Sequence, residues 1–227
     1  MCGRYASSRR PEDLVSYFEA EDLPEEELTA SYNVAPTDPV YVVLKRHQRR
    51  QLQVVRWGLV PSWAKDPKLG AKLINARSET LSTTAAFRAA YRRRRCLVPA
   101  DGYYEWKKEG TTKQPFFLSA FDGAPLAMAG LYEIWAPPDS DGERLWTCTV
   151  VTTTAPDEHA EVHDRTPLLV PPEHWATWLD PEVEDPGDLL VAGVGGVLDA
   201  WPVGKAVGNV RNNSPSLVLP VDPEAAA

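Results

Sequence analysis

Val40-Tyr41-Val42-Val43-Leu44 and Leu52-Gln53-Val54-Val55-Arg56-Trp57 set the fold class. Both runs are dense in β-branched and aromatic side chains, which lose rotamer freedom in a helix and pack well on a pleated surface. The polar, basic stretch between them reads as a hairpin turn. Working outward, the same signal recurs at Cys96-Leu97-Val98-Pro99, at Gly102-Tyr103-Tyr104-Glu105-Trp106-Lys107 with a turn at Glu109-Gly110, and at residues 116–120, 127–132 and 145–153. Short strands are expected at 201–205 and 216–219. Helical patterns are fewer. Pro11, Glu12 and Asp13 open one that carries Leu14, Val15, Tyr17 and Phe18, with proline in the first turn and acids at the positive end of the dipole. A second is marked by Leu81, Ala85, Phe87 and Tyr91, and two more are expected at 157–162 and 173–179, the last with Trp175 and Trp178 on one face. Strands and helices do not alternate as a doubly wound sheet requires. The pattern predicts an α+β protein: one domain over residues 1–220, an antiparallel, barrel-like sheet flanked by short helices, and a disordered tail at 221–227. The glycine-rich stretch 193–197 lacks a phosphate-loop lysine and is expected to be a turn.

The chain has 227 residues, 43% hydrophobic and 25% charged, as in globular proteins that bury a core without covalent staples. No apolar run approaches the ~20 residues of a membrane span, so no membrane partner is expected, and a cytoplasmic monomer is. Cys2, Cys96 and Cys148 form no C-x-x-C pair, which argues against a zinc site or a disulfide framework. His159 and His163 have the four-residue spacing of ligands on a helix, but no third ligand accompanies them, and neither metal nor cofactor is expected. The net charge of −8 is unevenly spread. Residues 41–115 hold 17 Lys and Arg against 5 Asp and Glu, while both flanks are acidic. A basic segment inside an acidic protein fits phosphate attraction; solvated faces are the other reading, above all for Lys45-Arg46 and Arg49-Arg50 at the hairpin turn.

Met1 precedes a small residue and is expected to be trimmed, leaving Cys2 as the terminus. A terminal cysteine is a 1,2-aminothiol, with an amine of ordinary pKa about 7.7–8.0 beside a thiol near 8.5. The amine condenses with an aldehyde to an imine, and the sulfur closes onto the imine carbon as a thiazolidine. Gly3 crowds neither. Taken alone, Cys2 reads rather as a plain thiol near a frayed end. Two other residues, Glu105 and His163, could serve it. Glu105 sits mid-strand between aromatics, where burial would raise its pKa toward use as a proton carrier, or where it simply faces solvent. His163 follows a helical stretch. Trp63, in the loop Gly58-Leu59-Val60-Pro61-Ser62-Trp63-Ala64, is either an exposed stacking surface or a buried anchor.

Seven stretches occur together in one order: Cys2-Gly3-Arg4-Tyr5; Tyr32-Asn33-Val34-Ala35-Pro36-Thr37; Trp57 to Trp63; Asn75-Ala76-Arg77-Ser78-Glu79-Thr80; Arg95 to Pro99 with Gly102 to Trp106; Ala129-Gly130-Leu131-Tyr132; and His163-Asp164-Arg165-Thr166-Pro167. In these the chain resembles the SRAP family of abasic-site-processing proteins, with Thr166 where the family usually has methionine and Tyr132 where it often has tryptophan. The resemblance implies the SRAP fold and a covalent sensor of abasic sites in single-stranded DNA, whose N-terminal cysteine traps the ring-opened sugar aldehyde. By position it implies that Asn75 hydrogen-bonds the sugar or the cysteine, Glu105 moves protons, and His163 acts as acid or base in forming and reversing the crosslink. It further implies that Arg4 and Arg77 hold phosphates and that Pro36 and Trp63 shape or stack the strand, with the protein nucleoid-associated when on DNA. Lyase activity and autoproteolysis of Met1 would be compatible activities. Two other classes stay open: an N-terminal-nucleophile amidohydrolase, and a noncovalent single-strand binder with an inert Cys2.

Overall fold

A computed structural model of the chain describes residues 2–137, 142, 144–191 and 198–222. The strands in chain order are β1 (Tyr5–Ser7), β2 (Ser31–Val34), β3 (Pro39–Arg46), β4 (Arg49–Trp57), β5 (Asn75–Arg77), β6 (Arg95–Ala100), β7 (Gly102–Glu109), β8 (Thr112–Ala120), β9 (Leu126–Trp135), β10 (Leu145–Thr154), β11 (Arg165–Pro167) and β12 (Leu198–Pro202). The helices are α1 (Pro11–Tyr17), α2 (Arg88–Arg93), α3 (Asp157–Ala160) and α4 (Trp175–Leu179), with short 3₁₀ turns between. The β3–β4 hairpin pairs from Pro39↔Arg56 to Arg46↔Arg49, as the 40–57 pattern predicts. β6 joins β3 to β9, β9 pairs with β10, and β10 meets β4 in parallel at Thr147↔Arg56, so five strands close on themselves. The smaller sheet has the order β12-β8-β7-β1-β2 and is wholly antiparallel.

Alternation along β3 and β4 explains the two cores. Val40, Val42, Leu44, Val55 and Trp57 face inward onto Tyr5, Tyr103 and Leu118 of the smaller sheet. Tyr41, Val43 and Leu52 face outward onto Leu14 and Phe18 of α1 and Trp175 and Trp178 of α4. Burial on both faces is why β3 is apolar throughout. The outer face of the smaller sheet packs Tyr104 and Phe117 under Val203, Val207 and Leu217 of the C-terminal segment.

The structure corrects several sequence expectations. Residues 216–219 are not a strand: Pro215–Val218 is a 3₁₀ turn, capped by the Ser214 hydroxyl on the Ser216 amide, and proline cannot donate to a ladder. The last strand begins at Leu198 and ends at Pro202, earlier than expected. The helix marked by Leu81 and Phe87 is regular only over Arg88–Arg93, and Asn75–Arg77 is a strand. The 173–179 helix is a 3₁₀ turn followed by α4. β10 adds parallel pairings, with β4 and β5, to a sheet expected to be antiparallel. The 193–197 turn and the end of the tail from residue 223 lie outside the described residues.

Much of the basic middle segment is consumed internally. Lys45 pairs with Asp180, Arg49 with Glu21 and Asp22, Arg50 with Glu19, Arg93 with Glu184 and Arg94 with Glu133. Arg95 is buried, its guanidinium donating to the carbonyls of Tyr91, Arg92, Trp178, Asp180 and Val183. The arginine run therefore fastens α2 and α4 to the sheet, and only part of it is available to a ligand.

Candidate active site around Cys2

Cys2 is fully buried, not frayed. Its location follows from the β1–β7 register, in which Tyr5 faces Tyr103 and the Tyr104 amide donates to Arg4 O. Carried two residues on, that register sets Gly3 across from Glu105, where a missing side chain leaves room for the carboxylate. Asn75 reaches the same place from β5, donating its amide to Cys2 O at 2.7 Å. β5 pairs with β10 through Val150↔Asn75 and Thr152↔Arg77, and since Ala76 is buried in the outer core, Asn75 and Arg77 share the opposite face. The Asn75 Oδ1 is buried and unpartnered among the described residues.

Glu105 is 4% exposed. Burial raises its pKa, and nearby positive charge, that of His163 included, opposes the rise. Burial also pushes the Cys2 thiol up, and the Glu105 carboxylate pushes it further. The thiol is therefore held protonated at rest. His163 stands where α3 gives way to β11, which pairs with the other edge of β10 at Thr154↔Arg165. Its Nδ1 accepts the Arg165 N–H at 3.0 Å, which in the neutral ring puts the proton on Nε2. Asp164 Oδ1 is also 2.9 Å from Nδ1, a contact that is attractive only when the ring is protonated.

The other residues singled out by sequence form the surroundings. Arg4 donates from Nη1 to Asn33 Oδ1 and Val207 O, and Asn33 in turn donates to the carbonyls of Val207, Asn209 and Asn212. Arg4 thus anchors the C-terminal wrap, a role sequence did not suggest. Pro36 lies in a turn held by Thr37 N–H on Trp57 O and Ala35 N–H on Asp38 Oδ2. Thr37 there takes φ +79°, a conformation costly for a β-branched residue. Trp57 links this turn to the site: its ring packs edge-on against Tyr5 at 5.2 Å and its Nε1 donates to Ile74 O, next to Asn75. Arg77 is exposed. Trp63 is 60% exposed, while Val60 and Ala64 on either side are buried against Trp135. The loop is anchored and the tryptophan displayed.

Two features were missed in the sequence. Glu79 and Arg165 form a bidentate ion pair, 3.0 Å between Oε2 and Nη2, that ties the Asn75 segment to the His163 segment; Arg165 holds the Glu79 carboxyl below the usual range. Lys65, Lys68 and Lys72 are exposed on the segment between Trp63 and Asn75 and make no ion pair among the described residues. Three lysines within eight residues, Lys68 and Lys72 on the 3₁₀ turn Pro67–Lys72, were the available signal. No cluster of metal-ligating side chains occurs among the described residues, and His159 is buried apart from any such group.

The family model described as SOS response associated peptidase (SRAP) matches residues 1–210. The chain belongs to the SRAP family. Among its SRAP relatives, the abasic site processing protein YoqW of Bacillus subtilis is 39% identical over 223 residues, covering 96% of this chain and 99% of that protein. The abasic site processing protein YedK of Escherichia coli is 37% identical, covering 97% and 100%. The abasic site processing protein HMCES of Xenopus tropicalis is 31% identical, covering 97% of this chain and 78% of its own length. A solved structure of a protein from Bacteroides thetaiotaomicron shares the fold, with TM-score 0.85 over 97% of this chain at 22% identity.

Proposed function

We propose that this protein processes abasic sites in DNA by capturing them covalently on Cys2 once Met1 has been removed. The observation that carries the reading is what surrounds Cys2: the Asn75 amide on its carbonyl and the Glu105 carboxyl, of raised pKa, acting on its thiol, with His163 in turn acting on Glu105. The names of the relatives support abasic DNA as the substrate.

The chemistry balances with these groups alone. The α-amine attacks the aldehyde carbon of the ring-opened sugar, and the carbinolamine loses water to give an imine. The thiol then adds across the C=N bond, sulfur to carbon and proton to nitrogen, closing the thiazolidine; the net change is loss of one water. The protonated thiol makes the amine the first nucleophile. Glu105, with its pKa raised by burial, donates to the departing hydroxyl, regains a proton from nitrogen as the imine forms, and then relays the thiol proton from sulfur to nitrogen. Asn75 Oδ1, buried and without a partner among the described residues, accepts a hydrogen bond from the amine or the sugar, and Asn75 Nδ2 fixes the cysteine backbone. His163 shares the proton with Glu105 and assists the reverse reaction. Trp63 stacks an exposed base of the single strand, Arg77 and the lysines of the 65–72 segment hold phosphates, Arg4, its Nε buried and its Nη1 on Asn33 and Val207, holds the wall behind them, and Pro36 lines the strand's path.

The test compares wild type with Cys2→Ala on intact and abasic single-stranded oligonucleotides in denaturing gels. An adduct confined to abasic DNA and lost in Cys2→Ala is expected. Equal retention by both proteins under native conditions, with no denaturation-resistant band, overturns the reading.

A further inference from the structure

Three residues on the inner face of β7 stand opposite three on the segment that runs from α3 into β11. Tyr103 Oη is 2.9 Å from Thr166 Oγ1 in a buried contact. Two residues on, Glu105 feels the charge of His163. Two further, Lys107 Nζ is 3.3 Å from Glu161 Oε2 at the surface. Residues 103, 105 and 107 share one face because side chains alternate along a strand. β7 belongs to the smaller sheet and β11 to the larger, so these contacts form a ladder across the gap between sheets, with the acid and imidazole of the site as its middle rung.

From this arrangement we infer that the Tyr103–Thr166 hydrogen bond is a positioning element that fixes the separation of Glu105, His163 and Cys2. Of its two neighbours, the Lys107–Glu161 pair is exposed, with Glu161 81% exposed, and such pairs hold geometry weakly. The buried rung is the stiff one. Tyr103 is 1% exposed and Thr166 8%, so neither hydroxyl has bulk water to replace a lost partner. Thr166 Oγ1 lies 3.4 Å from Pro167 O, leaving Tyr103 its one close side-chain partner among the described contacts. Of the ionisable groups around the thiol, the Glu105 carboxylate raises its pKa and the positive chain terminus lowers it, while Tyr103 of β7 and Tyr5 of β1 are held neutral, their own pKa values raised by burial and by the thiol's charge. Glu105 raises the thiol pKa, and a carboxylate released from its rung raises it less.

The role deepens the proposed capture reaction and is tested with Tyr103→Phe, Thr166→Val, the double variant, Thr166→Ser and Glu105→Gln, each confirmed folded by its thermal transition. Two readouts are taken on protein lacking Met1. For adduct formation with an abasic oligonucleotide, each single deletion is expected to slow the reaction about tenfold, the double no further, and Thr166→Ser to restore it, since one shared bond is lost once. For iodoacetamide alkylation of Cys2, followed by peptide mass, the pH profile is expected to move to lower pH in Tyr103→Phe and in Glu105→Gln, with Thr166→Ser unmoved. Additive rate losses, or a Tyr103→Phe profile that coincides with wild type, overturn the inference. A wild type that forms no adduct while its alkylation profiles shift as stated defeats the capture reaction and leaves the strap standing.

Discussion

Glu105 holds an ionisable proton where water cannot solvate the charge, and that has a consequence for stability as well as chemistry. Its folded pKa is raised above its unfolded value by burial. The protein therefore loses stability through this group as pH rises through the folded pKa, and none through it below the unfolded one. Glu105→Gln is expected to raise the melting temperature at pH 7–8 relative to wild type, with the difference vanishing near pH 4, while adduct formation falls by 10²-fold or more; thermal scans at the two pH values and gel kinetics measure both. Trp63 makes the opposite case. Because its ring is exposed between buried anchors, Trp63→Ala is expected to leave the melting temperature unchanged and to weaken noncovalent binding of single strands by about 1–3 kcal/mol, read by fluorescence anisotropy. The sequence left both residues with two readings each. Which way a strand residue or loop tryptophan points is set by what packs on the neighbouring residues, here the β1 register for Glu105 and Trp135 for the Trp63 loop.

The loop carrying Trp63 depends on a backbone contact that only glycine permits. Gly58 has φ +123°, and a Cβ built on it would lie 2.7 Å from Gly70 O. Gly58→Ala combines a disfavoured dihedral with a clash against backbone and is expected to cost about 2 kcal/mol or more, measured by urea denaturation. The Glu79–Arg165 pair works at the same scale, joining the Asn75 strand to the His163 strand over β10. Glu79→Gln is expected to slow adduct formation several-fold with little loss of stability, because the Glu79 side of the pair is half-exposed and Arg165 keeps its bonds to Thr152. Elements with a local cause were legible: the 40–57 hairpin from its β-branched density, α1 from its proline and acids. β5 and β1 were not, since three residues each carry no periodicity and exist through pairing with β10, β2 and β7. Pro215 misled for a related reason: an apolar run after it resembles a strand until the missing amide donor is counted.

Across the whole molecule, charge is the property sequence judged least well. The segment 41–115 is strongly basic in composition, but part of that charge is neutralised by the acidic flanks that fold against it, Lys45, Arg49, Arg50, Arg93 and Arg94 each meeting a carboxylate, a long-range pairing no local pattern reveals. The remaining cations nearest the site in sequence are Lys65, Lys68, Lys72 and Arg77. With about four phosphates neutralised, log Kd against log salt for single-stranded DNA is expected to have a slope of about 3, and Lys65→Glu with Lys68→Glu to reduce it; a slope near 10 would mean the full basic segment engages DNA. Fold class was legible because seven motifs lie in order along the chain; from the same motifs come Asn75, whose amide meets the Cys2 carbonyl, and Glu105, whose charge acts on the Cys2 thiol and feels that of His163.

The most direct check is the intact mass of the protein after mixing with an oligonucleotide that carries one abasic site. The account requires a species equal to the chain without Met1 plus the DNA minus one water, absent with undamaged DNA. A mass that retains Met1 in the adduct, or an adduct of equal yield from Cys2→Ala, contradicts it.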